Sequence, residues 1–141
     1  YDPGNIGIRR AIEQATQDRP QLITYHNLPR ADFVTLYRHC TAIAGNSSSI
    51  VLESTFVGVP GILIGPRQDL RERGANVVRV DAEREAVAAA CGRALHDAAW
   101  REEIRAMPSP FGDGKAGRRV AELLAGQSLL ADELLLKTMT Y

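Results

Sequence analysis

The chain has 141 residues, of which 45% are hydrophobic and 24% charged, a composition that fits one globular domain of ordinary size. Seventeen Lys and Arg residues balance seventeen Asp and Glu residues, and this net charge of zero argues against a nucleic-acid binder, which carries a basic excess. No apolar run approaches the roughly 18 residues of a membrane span. We expect a cytoplasmic protein whose two cysteines are reduced thiols.

Helix-like and strand-like apolar patterns alternate along the chain. Helices are predicted over residues 5–17, 31–40, 48–57, 82–96 and 97–107 and from about residue 116, and strands over 22–25, 41–44, 60–65 and 77–80. The second helix is expected to turn Phe33, Leu36 and Tyr37 inward. Short apolar strands that alternate with helices are typical of a parallel sheet covered on both faces. The predicted fold class is therefore α/β, with helices on both faces of a parallel sheet.

The clearest candidate for a ligand site follows the strand over 41–44, where Gly45, Asn46 and three serines lead directly into a helix. Ligands of open α/β sheets bind at the carboxyl ends of strands, where helix N-termini present free N–H groups. Asn46 or Ser47 can cap the helix, and the hydroxyls of Ser47, Ser48 and Ser49 add donors. The segment suits a phosphate or diphosphate; the alternative is an ordinary helix cap with spare serines.

Two charged residues near this segment favour a ligand. Glu53 lies in a helix that is apolar almost all round, where a buried carboxylate is costly unless it is hydrogen-bonded. It is placed to accept two hydrogen bonds from a ribose diol, or else to form a structural ion pair with an arginine. Arg67 follows the next strand and offers a bidentate fork to a phosphate or a base.

Other chemistry finds little support in the sequence. The three histidines have no ligand spacing, so no metal site is predicted, and no catalytic triad can be argued from Ser47. Neither the dinucleotide fingerprint nor the phosphate-binding P-loop pattern occurs, and no cofactor is predicted.

An ordered set of motifs resembles the hydrolysing UDP-N-acetylglucosamine 2-epimerases, which make N-acetylmannosamine for sialic-acid-type sugars. The matching residues are Asp2-Pro3-Gly4, Gly45-Asn46-Ser47-Ser48-Ser49 with Glu53, Gly58-Val59-Pro60, Gly65-Pro66-Arg67-Gln68 with Arg71, Asn76-Val77, and residues 110–116. The resemblance covers about residues 2–124. The chain departs from the family at Ile50, where the family usually has Gly. If binding requires the backbone to approach the phosphate closely at this position, the side chain of Ile50 would weaken binding.

The resemblance implies a GT-B arrangement, in which two Rossmann-like domains face each other across a cleft. Residues 1–124 are expected to form most of the second, nucleotide-binding domain, and residues 125–141 a leucine-rich helical tail that packs on a partner domain or on a second subunit. The resemblance assigns the diphosphate to Ser47 and Ser48, the ribose hydroxyls to Glu53, the nucleotide to Arg67 and the vicinity of the uracil to Leu28. Further candidates are Asn46, Ser49, Gln68 and Arg71.

The implied reaction converts UDP-N-acetylglucosamine and water into N-acetylmannosamine and UDP. The catalytic carboxylates of the family belong to its first domain, so this chain is expected to hold no catalytic residue and to be inactive by itself. Two alternatives stay open: the donor-binding domain of a GT-B glycosyltransferase, and a non-catalytic nucleotide-sugar sensor.

Overall fold

The computed structural model describes residues 4–126, which divide after Leu36 into two units. The elements are α1 (Asn5–Asp18), α2 (Arg30–His39), β1 (Ile43–Gly45), α3 (Ser48–Val57), β2 (Gly61–Ile64), β3 (Val77–Val80), α4 (Arg84–His96), α5 (Ala98–Ala106) and α6 (Ala116–Gly126). All six predicted helices and three of the four predicted strands are confirmed, with ends that differ by at most two residues.

The three strands form one parallel sheet in the order β1-β2-β3. Successive side chains of a strand point to opposite faces, so β2 and β3 each contribute to two apolar clusters. On one face Leu63 and Val77 pack with Ile50 and Val51 of α3. On the other face Ile62 packs with residues of α4 and α5, namely Ala94, Trp100 and Ile104. The predicted α/β class, with helices on both faces of a parallel sheet, is confirmed, and the unit is Rossmann-like.

Helix α3 is held close to the sheet at both of its ends. Ser47 caps its start by accepting a hydrogen bond from the backbone N–H of Ser49, and Gly58 ends it in the left-handed conformation, at φ 68°. Strand β2 begins with Gly61, where a Cβ atom would lie 3.0 Å from Ile50 Cγ2 and 3.0 Å from Ser54 Oγ. The absence of a side chain at Gly61 therefore allows α3 to approach β2 closely.

A buried polar cluster joins α3 to the start of β3. The Asn76 side-chain amide donates to Ser54 Oγ at 2.9 Å and to the Val59 carbonyl at 2.8 Å, and its oxygen accepts from Thr55 Oγ1 at 2.7 Å. The Ser54 hydroxyl in turn donates to the Ile50 carbonyl. Buried polar groups are stable only when they are hydrogen-bonded, and this cluster meets that condition.

Two predictions about the first unit and α2 are wrong. Residues 22–25 form irregular chain instead of a strand, and Leu22 and Ile23 are 42% and 70% exposed. A strand needs a hydrogen-bonded neighbour, and no strand within residues 4–126 pairs with this segment. Leu36 is half exposed, whereas the next residue, Tyr37, is buried, because consecutive helical residues point in directions about 100° apart.

The predicted tail over residues 125–141 lies almost wholly outside the described residues. Within residues 4–126, no helix is both long enough and apolar enough to cross a membrane. Cys40 and Cys91 are both half-buried and form no disulfide.

Candidate functional site

The candidate site lies where β1 and β2 end. Both strands are parallel, so the loop after β1, which contains Asn46 and Ser47, and the loop after β2, which contains Arg67 and Gln68, leave the same edge of the sheet. Gln68 Nε2 donates to the Asn46 carbonyl at 3.2 Å, which joins the two loops directly. The two strand ends therefore lie side by side at one edge of the sheet.

Gln68 works as a brace between these loops. It is only 6% exposed although it lies in a loop, and its side-chain oxygen is buried without a hydrogen-bond partner among the described residues. The sequence indicates Gln68 only as a further ligand candidate. The structure adds that its amide nitrogen is committed to the backbone of Asn46, on the residue just before the cap of α3.

A chain of three hydroxyl groups runs along the start of α3. Ser49 Oγ donates to Ser47 Oγ at 3.0 Å, and the Tyr37 hydroxyl lies 2.7 Å from Ser49 Oγ. Sequence reasoning expected Tyr37 to be inward but gave it no part in the site. The available signal was chemical, because the hydroxyl of a buried tyrosine needs a hydrogen-bond partner.

Burial makes ionisation of the Tyr37 phenol less favourable, and its pKa is raised. Burial raises the pKa of Tyr37 above its ordinary value of 10.0, the hydrogen bond with Ser49 lowers it, and the negative charge of Glu53 raises it again. The phenol is thus a hydrogen-bond donor across the neutral pH range.

The surroundings of Glu53 differ from the prediction. Helix α3 is not buried all round: it packs on one side through Ile50, Val51 and Ser54, while Leu52 and Phe56 are 42% and 58% exposed. Glu53 is half-buried between these two sides. The sequence of the helix does not show this difference. Because it is apolar almost all round, it has no periodicity that would distinguish a covered side from an exposed side.

The remaining candidates occupy several positions. Arg67 and Arg71 are exposed in the loop after β2, Asn46 is exposed and Ser48 is half-buried. Leu28 belongs to the first unit, where it is half-buried and its N–H bonds to Asn27 Oδ1 at 3.0 Å. Its place beside a uracil stays a prediction.

The departure from the family pattern at Ile50 has a structural function. Its side chain is 2% exposed and belongs to the core between α3 and the sheet, where its Cδ1 lies 3.3 Å from the position that a Cβ of Gly45 would take. Its backbone N–H donates to the Ser47 carbonyl at 3.1 Å, in the first turn of α3. No cluster of three or more His, Cys, Asp or Glu suited to a metal ion occurs within residues 4–126.

Comparison with known proteins agrees with this Rossmann-like unit. The sequence pattern of the UDP-N-acetylglucosamine 2-epimerase family matches residues 3–125, and the chain belongs to that family. The resemblance found in the motifs is confirmed.

Two relatives illustrate the match. The chain is 31% identical over 123 residues to UDP-N,N'-diacetylbacillosamine 2-epimerase (hydrolyzing) of Legionella pneumophila, an alignment that covers 87% of this chain and 31% of the relative. It is 29% identical over 82 residues to UDP-N-acetylglucosamine 2-epimerase of Neisseria meningitidis serogroup B, which covers 58% of this chain and 21% of that protein. The chain thus spans less than a third of the length of these curated relatives.

Proposed function

We propose that this chain is the nucleotide-binding part of a hydrolysing UDP-N-acetylglucosamine 2-epimerase, or of a relative that acts on a modified UDP-amino sugar. The observation that carries the proposal is the family match over residues 3–125, which spans the joined strand-end loops. The Legionella relative, which is named as a hydrolysing enzyme, supports the hydrolysing type. The product would supply amino-sugar biosynthesis of the sialic-acid type in the cytoplasm.

In this proposal the diphosphate binds at the start of α3. A helix N-terminus presents unpaired N–H groups and the positive end of the helix dipole, both of which favour an anion. The hydroxyls of Ser47 and Ser48 add donors at the same place, and the exposed Arg67 supplies positive charge from the neighbouring loop.

Glu53 receives the ribose in this arrangement. It lies in the second turn of α3, and its half-buried carboxylate can accept hydrogen bonds from both ribose hydroxyls. Leu28 is assigned to the vicinity of the uracil, while Asn46, Ser49, Gln68 and Arg71 support or border the phosphate region.

The reaction itself is assigned to the complete two-domain GT-B protein. UDP leaves C1 of the sugar as a proton leaves C2, and water then returns a hydroxyl to C1 and a proton to the opposite face of C2. Acid and base groups for these proton transfers are assigned to the first domain, so we propose no catalytic residue within this chain. Its partners are that domain, the UDP-sugar and, in an oligomer, further copies of the protein.

The nucleotide assignment is tested by titrating UDP and 2′-deoxy-UDP into the complete protein by calorimetry. The wild type is expected to bind UDP about tenfold more tightly than 2′-deoxy-UDP, because one carboxylate hydrogen bond to the ribose is worth about 1.5 kcal/mol. The variant Glu53→Gln should lose most of this preference, and Arg67→Ala should weaken both ligands.

Glu103→Gln is the matched control, because Glu103 is exposed on α5, which packs on the other face of the sheet. It should leave both affinities unchanged. An unchanged preference for the ribose hydroxyl in Glu53→Gln would contradict the assigned role of Glu53, and the absence of UDP binding by the folded wild type would contradict the proposed function.

A further inference from the structure

The hydroxyl groups of Tyr37, Ser49 and Ser47 form a hydrogen-bonded series at the start of α3. We propose that the Tyr37 hydroxyl is a positioning group that fixes the Ser47 hydroxyl as an outward donor to the anionic group of the ligand. This inference rests on the proposed function, because it concerns the same phosphate region. Tyr37 itself does not contact the ligand in this proposal.

The first step concerns the oxygen of Ser47. It accepts one hydrogen bond from the Ser49 backbone N–H at 3.3 Å and a second from Ser49 Oγ at 3.0 Å. A hydroxyl oxygen has two lone pairs, so both are engaged. The remaining capacity of Ser47 is its single proton, for which no acceptor is found within residues 4–126. An anion bound at the helix start is the acceptor that this proton fits.

The second step concerns the donor to Ser49. The only proton of the Ser49 hydroxyl is used in its bond to Ser47. The 2.7 Å contact between Ser49 Oγ and the Tyr37 hydroxyl allows either atom to donate, and in the proposed arrangement Tyr37 is the donor. The phenol suits this task because a tyrosine hydroxyl keeps its proton at neutral pH.

The third step concerns rigidity. Tyr37 is 8% exposed, and the backbone beside it is held where the Cys40 thiol donates to the Tyr37 carbonyl at 3.3 Å. In the proposed arrangement a fixed phenol orients the hydrogen bonds of all three hydroxyl groups, from Tyr37 through Ser49 to Ser47. Hydrogen bonds in such a chain polarise one another, so the terminal Ser47 proton becomes a stronger donor to a phosphate oxygen.

The test compares Tyr37→Phe and Ser49→Ala with the wild type, in the complete protein, using UDP and uridine as probes. Tyr37→Phe keeps the ring and removes only the donor. Each variant is expected to bind UDP about five- to tenfold more weakly, which is the effect of one ordinary hydrogen bond, because the bond from Ser47 to the anion is weakened and not removed. Binding of uridine, which has no phosphate and is followed by amide chemical shifts, should remain unchanged.

A double-variant cycle completes the test. If both residues act through one series of hydroxyl groups, the double variant should bind UDP no more weakly than the single variant that has the lower affinity. Three results would overturn the inference: UDP affinity equal to that of the wild type in both single variants, an equal loss for UDP and uridine, or fully additive losses. Failure of the wild type to bind UDP would instead overturn the proposed function together with this inference. If Tyr37→Phe does not fold, Ser49→Ala still allows the affinities for UDP and uridine to be compared with those of the wild type.

Discussion

Asn76 stabilises the second unit by donating two hydrogen bonds and accepting one. A side chain of the same shape without amide protons cannot make the same bonds. Its buried amide nitrogen serves two acceptors, Ser54 Oγ and the Val59 carbonyl, while its oxygen serves one donor, Thr55 Oγ1. A carboxylate is nearly isosteric with this amide but has no proton to donate when ionised. Position 76 is therefore specific for an amide.

The substitution Asn76→Asp is expected to lower the free energy of unfolding by about 3 kcal/mol, because it buries a charge opposite the Val59 carbonyl. Asn76→Ala should cost about 2 kcal/mol, because it leaves polar groups unpaired without adding a charge. Urea denaturation measures both. The exposed Asn46 provides the matched control, and Asn46→Asp should change the free energy by less than about 0.5 kcal/mol. Equal costs at positions 46 and 76 would contradict the role of Asn76.

The site at the residue scale was only partly predictable from the sequence. The sequence limits the cap of α3 to Asn46 or Ser47, because both residue types have a local preference for that position, and the structure has Ser47 there. The contribution of Tyr37 was not identified, since its partner Ser49 is twelve residues away and belongs to another helix. Gln68 was identified only as a ligand candidate, because a brace between two loops depends on the spatial arrangement of neighbouring strands.

At the scale of elements, the close packing of α3 on β2 depends on Gly61. The atoms nearest to a Cβ at this position belong to Ile50 and Ser54, which are 2% and 0% exposed and therefore have little room to move. In the middle of a helix with open surroundings, replacing a glycine by alanine is expected to stabilise the protein. Gly92 of α4 is such a residue, because a methyl group added there would meet no atom within 4 Å outside its own helix backbone and chain neighbours.

Two alanine substitutions should consequently have opposite effects. Gly61→Ala is expected to lower the free energy of unfolding by about 1–3 kcal/mol, because α3 must move away from the sheet. Gly92→Ala should raise it by about 0.5–1 kcal/mol, because alanine is the better helix former. Thermal or urea unfolding of the two variants provides the measurement. Stabilisation by Gly61→Ala would show that α3 can shift without loss.

Most element boundaries were predictable because local chemistry determines them. Helix α3 begins at a serine cap and ends at Gly58, and the structure has it over the predicted residues 48–57. The strand predicted over residues 22–25 failed because strand formation depends on a neighbour, which a β-prone run does not supply. The exposure of α3 was misjudged for a related reason, since its apolar sequence does not show that Leu52 and Phe56 lie on an uncovered side.

At the scale of the whole molecule, the chain spans less than a third of its curated relatives, and the proposed catalytic carboxylates belong to another domain. We therefore expect the purified 141-residue chain to release no UDP from UDP-N-acetylglucosamine, whereas the complete protein releases it without any acceptor. A coupled assay for UDP measures both. Turnover by the chain alone would contradict the assignment of catalysis to the first domain. Release that requires an acceptor would favour a glycosyltransferase.

The order of the strands in space is the same as their order along the chain, β1-β2-β3. Each strand pairs with a neighbour fewer than about twenty residues away, so the entropy cost of closing each connection is small. During synthesis the sheet can therefore grow strand by strand as the nascent chain leaves the ribosome. The face that carries Ile62 stays uncovered until α4 and α5 have followed, which makes this interval the stage at which the newly made chain most needs protection from aggregation.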